Sequence, residues 1–148
     1  MARHVFFSFH YQQDIFRVNQ IRNLPEIIEE SAAGFKDKSL WEESKQKGDA
    51  AIKKLIDAGL TGTSVTVVCI GSATAGRKYV NYEIEQSIAR GNGILGLQIH
   101  HLKSLDGTAG AAGVTPAPLT KGGYPIYKYT THADLKKWIE AAAKSAGK

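Results

Sequence analysis

The stretch SVTVVCIGSATAGRKYVNYEIEQSIARGNGILGLQI, residues 64–99, decides the fold of this 148-residue chain. Residues 64–70 form a continuous β-branched run, which is typical of a strand covered on both faces in a parallel sheet. A helical pattern follows, and Gly91-Asn92-Gly93 ends it before a second apolar strand at residues 94–99. The face of this helix that is expected to be buried carries Val80, Ile84, Ser87 and Ile88. Strand, helix and strand together predict a βαβ unit.

Strand and helix patterns continue on the N-terminal side of this unit. Residues 5–9 are β-branched and aromatic and predict a first strand, and apolar residues at helical spacing from Ile15 predict a helix that Pro25 interrupts. Residues 32–43 predict a weak edge strand followed by an exposed loop that holds Trp41. The stripe that predicts the next helix consists of Ala51, Ile52, Leu55 and Ile56, and the helix is expected to stop at Gly59.

The C-terminal part of the chain divides into a loop and a final strand and helix. Residues 103–123 are rich in Gly, Ala, Thr and Pro and predict a mobile loop, because they carry little apolar bulk. Residues 124–129 predict a last strand and residues 133–146 a closing helix. The inward face of that helix is expected to carry Leu135, Trp138 and Ile139. The whole pattern predicts an α/β fold, a doubly wound parallel sheet of about five strands with helices on both faces.

Length and composition bound the class of protein. A chain of 148 residues suits one core, so residues 1–148 are expected to form a single domain. No stretch of about 18 apolar residues occurs, and Val5-Phe6-Phe7 is too short for a signal peptide, so a soluble, cytoplasmic protein is expected. The single cysteine, Cys69, lies inside the central strand and is expected to pack as a small core residue.

The charge of the chain favours anionic partners without selecting one. The formal net charge is +5 and the pI is near 9.3, which suits nucleotides, nucleic acid or an acidic protein face. The basic pairs are dispersed among acidic and apolar residues, and no arginine-rich tract occurs. This dispersion argues against nucleic acid as the partner.

Glu83 is the most informative single residue. It lies on the helix that directly follows the central strand, so it is expected at the carboxyl edge of the sheet, where open α/β folds bind ligands. At roughly 100° per residue Glu83 lies about 60° from Val80, beside the buried stripe, whereas Glu85 falls about opposite. The alternative is a solvated glutamate that the helix dipole favours near the N-terminus. Spacing alone leaves both interpretations open.

The turn before this helix, GSATAG at residues 71–76, suits a phosphate group. It offers small residues, the Ser72 hydroxyl and backbone N–H groups, with Arg77 and Lys78 beside them. A plain strand-to-helix turn explains it equally well. No GxGxxG or GxxxxGK[ST] occurs, so the sequence has neither a dinucleotide fingerprint nor a P-loop.

Histidines and aromatic residues supply further candidates. His10, His100 and His101 could meet at the carboxyl ends of two strands, but no spacing resembles HExxH or a CxxC pair, so no metal site is expected. A purine or nicotinamide ring could stack on one of the aromatic residues, although partial burial in the core is their usual fate. These aromatic residues are Tyr11, Trp41, Tyr79 and Tyr82.

Two motifs resemble those of TIR domains. Residues 5–9, Val-Phe-Phe-Ser-Phe, resemble the Phe-x-Ser-aromatic opening strand, and residues 79–84, Tyr-Val-Asn-Tyr-Glu-Ile, resemble the Trp-x-x-x-Glu-Ile/Leu helix, with Tyr79 in place of the tryptophan. Further blocks between about residues 3 and 99 are similar, in order and spacing, to the TIR-like proteins of the bacterial Thoeris antiphage system, the ThsB family. These blocks are VFFSFHYQ, FRVNQIRN, SAAGFKDKSLWE, TSVTVVCIGSATAGRKYVNYEIEQSI and RGNGILGLQI.

The resemblance implies a flavodoxin-like TIR fold and an NAD-consuming enzyme, an NAD glycohydrolase or ADP-ribosyl cyclase. Such proteins sense phage and make an ADP-ribose-derived messenger that activates a separate effector protein. Glu83 matches the family's catalytic glutamate, NAD+ is the substrate, and no further cofactor is implied. The loop around residues 35–43 would help a neighbouring subunit complete the site, so a homo-oligomer is expected on activation. The substrate-binding residues expected by analogy or by stacking are Ser8, Phe9, His10, Tyr11, Trp41, Ser72, Arg77 and Tyr79.

Three other functions compete with this one. A non-catalytic TIR-like adaptor, acting by self-association with a structural Glu83, is the main alternative. A receiver-type phosphoacceptor would need an aspartate at the end of the third strand, where Ile70-Gly71-Ser72 stands. A flavodoxin-like electron carrier would need a Ser/Thr-rich phosphate loop after the first strand, which residues 9–13, FHYQQ, do not supply. The resemblance therefore implies the NAD-consuming enzyme, with the adaptor as the alternative.

Overall fold

The fold is known from a computed structural model that describes residues 3–21, 27–30, 46–103 and 107–148, with the backbone alone at 3, 11–13, 15 and 27–30. Five strands and five helices alternate along these residues. The strands are β1 Arg3–Ser8, β2 Ile27–Glu30, β3 Val65–Ile70, β4 Gly93–Gln98 and β5 Ile126–Lys128. The helices are α1 Tyr11–Asn19, α2 Asp49–Leu60, α3 Lys78–Ala89, α4 Ala117–Gly122 and α5 His132–Ser145.

The strands form one parallel sheet in the order β2-β1-β3-β4-β5, which confirms the predicted architecture. Its centre is β3, whose six residues are all buried, as the unbroken β-branched run predicts. In the register of β1 with β3, Ser8 lies opposite Val68. The carboxyl ends of β1, β3 and β4 therefore lie along the same edge of the sheet.

Side-chain alternation along β3 divides the core into two layers. On one face, Val65, Val67 and Cys69 pack with α1 and α5. On the other face, Val68 and Ile70 pack with α3 and α4. On β1, Phe6 packs against the buried face of α2 and against two tyrosines of α3. Each of the large apolar side chains that is fully buried here stabilises the fold by roughly 2 kcal/mol. Cys69 is a core residue, as predicted.

Several boundaries differ from the sequence-based predictions. The second strand is Ile27–Glu30, earlier than predicted, and residues 32–43 with Trp41 lie outside the described residues. Within the predicted loop 103–123, residues 117–122 form α4, so the prediction of a loop throughout is wrong. Leu119 anchors this helix because its side chain is fully buried against Val68 and Ile84, and Gly123 ends it in the left-handed conformation.

The buried face of α3 also differs from the prediction at one position. Ile88 is 40 % exposed, while Glu83 is 5 % exposed. The buried arc is centred on Val80 and Ser87 and extends toward Glu83 rather than toward Ile88, because α3 packs against α2 and β1 on that side. Among the described residues, no helix combines the length and apolar character needed to cross a bilayer.

Candidate active site

Glu83 lies beneath the carboxyl edge of the sheet, paired with the last residue of β1. The Ser8 hydroxyl donates a 2.7 Å hydrogen bond to Glu83 Oε1, and both residues are buried. Strand alternation explains this meeting, since Ser8 is two residues after Phe6 and therefore shares the face that packs on α2 and α3. The position of Glu83 is fixed by the packing of α3 on the sheet, because the adjacent residue, Ile84, is fully buried there.

Burial controls the ionisation of Glu83. It raises the pKa of this carboxyl to about 8, and the hydrogen bond from Ser8 offsets only part of that shift. No salt bridge joins Glu83 to a cation among the described residues. The carboxyl is therefore mostly protonated at neutral pH without a ligand, and a cation placed beside it would favour the charged form. A buried acid with a shifted pKa at a ligand-binding edge is a common mark of a functional site.

A buried chain of hydrogen bonds holds the helical turn that carries Glu83. Ser87 Oγ donates to the Glu83 carbonyl oxygen at 2.7 Å, and Thr66 Oγ1 lies 2.7 Å from Ser87 Oγ. Because the Ser87 proton is already donated, Thr66 is the donor in the second bond. Asn92 Nδ2 completes the chain by donating to Thr66 Oγ1 at 3.3 Å. Sequence reasoning missed this chain, because Thr66 stands within an apolar strand pattern and its hydroxyl carries no separate signal.

The turn between β3 and α3 is built as a compact loop at the same edge. Thr74 is buried, and its hydroxyl accepts a 2.8 Å hydrogen bond from the Gly71 N–H. Ser72 is exposed in this turn, and Arg77 is exposed with its Nε donating to the Ala73 carbonyl at 3.2 Å. Ser72 and Arg77 therefore both lie at the exposed surface of this turn, and the Arg77 side chain is bonded back to the turn itself.

His10 lies near two groups of opposite charge at this edge. Its pKa is lowered, first by burial and then by the nearby positive charge of Arg77, while the charge of Asp14 opposes the shift. His10 is therefore neutral at physiological pH and lies within electrostatic reach of Arg77. The structure thus brings Ser8, His10, Ser72, Arg77 and Glu83 to one edge of the sheet.

The predicted aromatic residues separate into different environments. The Tyr79 hydroxyl donates to Asp49 Oδ1 at 2.9 Å, and its ring lies one helical turn before Glu83 on the side of α3 that faces α2. Tyr82 donates instead to Asp57, at 3.0 Å. Phe9 packs against the α1 and α5 layer, so the structure does not place it beside Glu83. Of Tyr11 only the backbone is described, and Trp41 lies outside the described residues.

Sequence reasoning also missed a buried ion pair beside the turn. Arg17 Nη1 lies 3.3 Å from Asp14 Oδ1, and Thr74 Oγ1 donates to Asp14 Oδ2 at 3.4 Å. Burial raises the pKa of Asp14, and the Arg17 charge lowers it. Gly71 is required here, because a Cβ atom at this position would collide with the Asp14 carboxylate. The only sequence signal was an Asp and an Arg three residues apart on a helix.

The two histidines after β4 pack against each other. Their rings contact edge to face with centroids 5.5 Å apart, and His101 Nε2 hydrogen-bonds the Tyr129 carbonyl at 2.8 Å. In the described part of the chain, no group of three His, Cys, Asp or Glu side chains is placed to hold a metal ion. His100 has a lowered pKa, chiefly because of burial.

Comparison with known proteins identifies the family. Residues 6–104 match the family model described as Thoeris protein ThsB, TIR-like domain. The chain is also 46 % identical over 140 residues to a protein of Bacillus cereus (strain MSX-D12) named "Putative cyclic ADP-D-ribose synthase ThsB1", and this match covers 93 % of the chain and 72 % of that protein. The family match includes Ser8, the turn at residues 71–76 and Glu83. The chain therefore belongs to the ThsB family of TIR-like Thoeris proteins.

Proposed function

We propose that this protein consumes NAD+, releasing nicotinamide and making an ADP-ribose-derived messenger that activates a separate effector in antiphage signalling. The observation that carries the proposal is the buried Glu83 carboxyl, bonded to Ser8 at the ligand-binding edge of the sheet. The name of the Bacillus cereus relative, a cyclic ADP-ribose synthase, supports the same reaction class.

The chemistry suits a single carboxylate. The bond between C1′ of the ribose and the nicotinamide nitrogen breaks, and its electron pair leaves with nicotinamide, which departs as a neutral pyridine and needs no general acid. The ribose becomes an oxocarbenium-like cation. A carboxylate about 4 Å away, at an effective dielectric near 20, stabilises that cation by roughly 4 kcal/mol, on the order of a thousandfold in rate. Orientation and the exclusion of water supply the remainder.

The substrate itself supplies the charge that ionises Glu83. The nicotinamide ring of NAD+ is a pyridinium cation, and a positive charge beside a buried carboxyl lowers its pKa. Binding therefore converts a neutral acid to the carboxylate that the transition state requires. Ser8 donates to this carboxylate and fixes its orientation toward the ribose.

The neighbouring groups are proposed to bind the rest of the substrate. Ser72 and Arg77 would contact the phosphates, with His10 near the Arg77 charge, and the Tyr79 ring would pack against the nicotinamide-ribose side. Phe9, Tyr11 and Trp41 remain predictions as substrate contacts, and the loop around residues 35–43 is proposed to complete the site in a homo-oligomer formed on activation by a phage-derived trigger.

The acceptor at C1′ sets the product. Water gives ADP-ribose, whereas an internal hydroxyl of the substrate gives a cyclic isomer, and in both cases the hydroxyl proton passes to Glu83 or to solvent. The bond that forms replaces the one that breaks, so no oxidant or additional cofactor takes part.

The decisive experiment mixes concentrated protein with NAD+, with and without phage-infected lysate, and follows nicotinamide release and product mass. Glu83→Gln should abolish turnover. The matched control is Glu85→Gln, two residues away on the exposed side of the same helix, which should retain it. No nicotinamide release under triggered conditions, or signalling that survives Glu83→Gln, would instead assign the protein as a self-associating adaptor.

A further inference from the structure

Residues 107–113 cross the carboxyl edge of the sheet in close contact with the turn that precedes α3. The Gly110 N–H donates to the His100 carbonyl at 2.7 Å, and Ala109 forms an antiparallel bridge with Lys103. At Gly113 the approach is so close that a Cβ atom would collide with the Gly71 carbonyl oxygen. The backbone at Gly113 therefore packs directly on the backbone at Gly71, where β3 ends.

Arg17 fastens this segment to α1. Its Nε donates to the Leu102 carbonyl at 2.8 Å, its Nη2 donates to the Thr108 carbonyl at 3.4 Å, and its Nη1 bonds Asp14. The residue is only 8 % exposed. A buried guanidinium is stable only when its donors are satisfied, so the two carbonyls and the Asp14 carboxylate together hold it in one orientation. The Arg17 side chain thus hydrogen-bonds the backbone both before residue 104 and after residue 106.

The segment adjoins the candidate site at Gly71. Gly71, which Gly113 contacts, begins the turn that contains Ser72 and leads to Arg77. His10 lies close enough to Arg77 and to Asp14 for the charges of both to act on its pKa. Val114, directly after the segment, is 75 % exposed and offers an apolar surface at the rim.

We propose that residues 107–113 form one wall of the NAD+ site and that Arg17 is the positioning residue that holds this wall in place. The inference rests on the proposed function. It extends the site beyond residue 104, where the match to the family model ends, to a Gly- and Ala-rich segment. A fixed wall excludes water from the edge of the sheet, and water exclusion strengthens the interaction of Glu83 with the developing cation.

The test measures backbone amide hydrogen exchange in the presence and in the absence of carba-NAD. In this NAD+ analogue a methylene replaces the oxygen of the nicotinamide ribose ring, so that the glycosidic bond is not cleaved. In the wild-type protein, carba-NAD should slow exchange of the amides in residues 107–113. The double variant Asp14→Asn, Arg17→Met removes both buried charges together; it should exchange faster at 107–113 without ligand and bind carba-NAD about tenfold more weakly. If it does not fold by circular dichroism, Arg17→Lys serves instead, since it keeps a charge beside Asp14 but loses the bonds to the two carbonyls.

The matched control is Arg90→Met, because Arg90 also donates to a backbone carbonyl, that of Asp57 at 3.3 Å, but follows α3 at its far end. This variant should bind carba-NAD as the wild type does. Binding by the wild type without slower exchange at 107–113, or unchanged affinity in the Arg17 variant, overturns this inference alone. A wild-type protein that binds no carba-NAD, with or without the trigger, overturns the proposed function as well.

Discussion

Ser8 and Glu83 are 75 residues apart in the sequence, yet the Ser8 hydroxyl lies 2.7 Å from the Glu83 carboxyl oxygen to which it donates. The bond lowers the pKa of Glu83 against the effect of burial. It joins the first strand to the third helix at the point where the proposed reaction takes place. The first prediction concerns this contact.

Replacing Ser8→Ala should reduce kcat/KM for NAD+ by about tenfold or more at pH 7, since a hydrogen bond to a charged group is worth roughly 1.5–3 kcal/mol. Without the donor the pKa of Glu83 rises further, so the loss should shrink at higher pH. Steady-state assays of nicotinamide release between pH 6 and 9 measure both effects. Ser64→Ala, which removes an exposed hydroxyl at the other end of β3, is the control. Equal losses in the two variants would contradict a special role for Ser8.

The pH dependence of the wild-type enzyme should report the ionisation of Glu83. Because its pKa is about 8 in the ligand-free protein, kcat/KM should rise with pH and level off above that value. The increase of kcat with pH should occur at a lower pH than that of kcat/KM, because the pyridinium of bound NAD+ favours the carboxylate. A profile of kcat/KM that is flat from pH 6 to 9 would show that this group does not need to lose its proton.

Glu83→Gln should change the dependence of stability on pH. A carboxyl whose folded pKa is raised from 4.5 to about 8 contributes stability that is fully present below pH 4.5 and is lost as the pH rises through 8. This loss amounts to roughly 3–5 kcal/mol. The free energy of unfolding of Glu83→Gln minus that of wild type should therefore be larger at pH 8 than at pH 5, which means that the variant is relatively more stable at pH 8.

Urea titrations at the two pH values measure this difference, with Glu85→Gln as the exposed control. If the relative stability of Glu83→Gln were the same at pH 5 and pH 8, the carboxyl would not be buried in the protonated form.

Thr66→Val and Ser87→Ala should each destabilise the protein by about 1–3 kcal/mol, because each leaves buried polar partners unsatisfied. The double variant should cost less than the sum of the two, since both changes interrupt the same chain from Asn92 to the Glu83 carbonyl. Urea denaturation of the four proteins in the cycle gives the coupling energy. Strict additivity would mean that the two hydroxyls do not act together.

The sequence predicted those parts of the fold that local pattern determines. The β-branched run before Gly71 indicated the central strand, and the spacing of Glu83 relative to Val80 placed this acid beside the buried stripe. Local pattern also failed where tertiary packing decides. Ile88 is apolar but lies outside the arc that contacts the sheet, and the six-residue α4 depends mainly on the burial of Leu119.

The site was only partly predictable for the same reason. Glu83 was indicated both by its place on the helix and by a family motif, and Ser8 by a family motif alone, whereas their contact depends on the pairing of β1 with β3. The bonds from Arg17 to the Leu102 and Thr108 carbonyls join residues 85 and 91 positions apart, and backbone carbonyls carry no sequence signal. Interactions of this kind become visible only in three dimensions.

Under the proposed function, a Glu83 carboxyl that is protonated in the ligand-free protein would make cleavage selective for the oxidised dinucleotide. NADH carries a neutral dihydropyridine ring, so it does not favour loss of the proton from this carboxyl, and its base cannot depart as a neutral pyridine. We therefore expect NADH not to be cleaved, which an assay of product formation from NADH and from NAD+ measures. The protein would then consume only NAD+, and signalling would be weaker in a cell in which more of the dinucleotide is reduced to NADH.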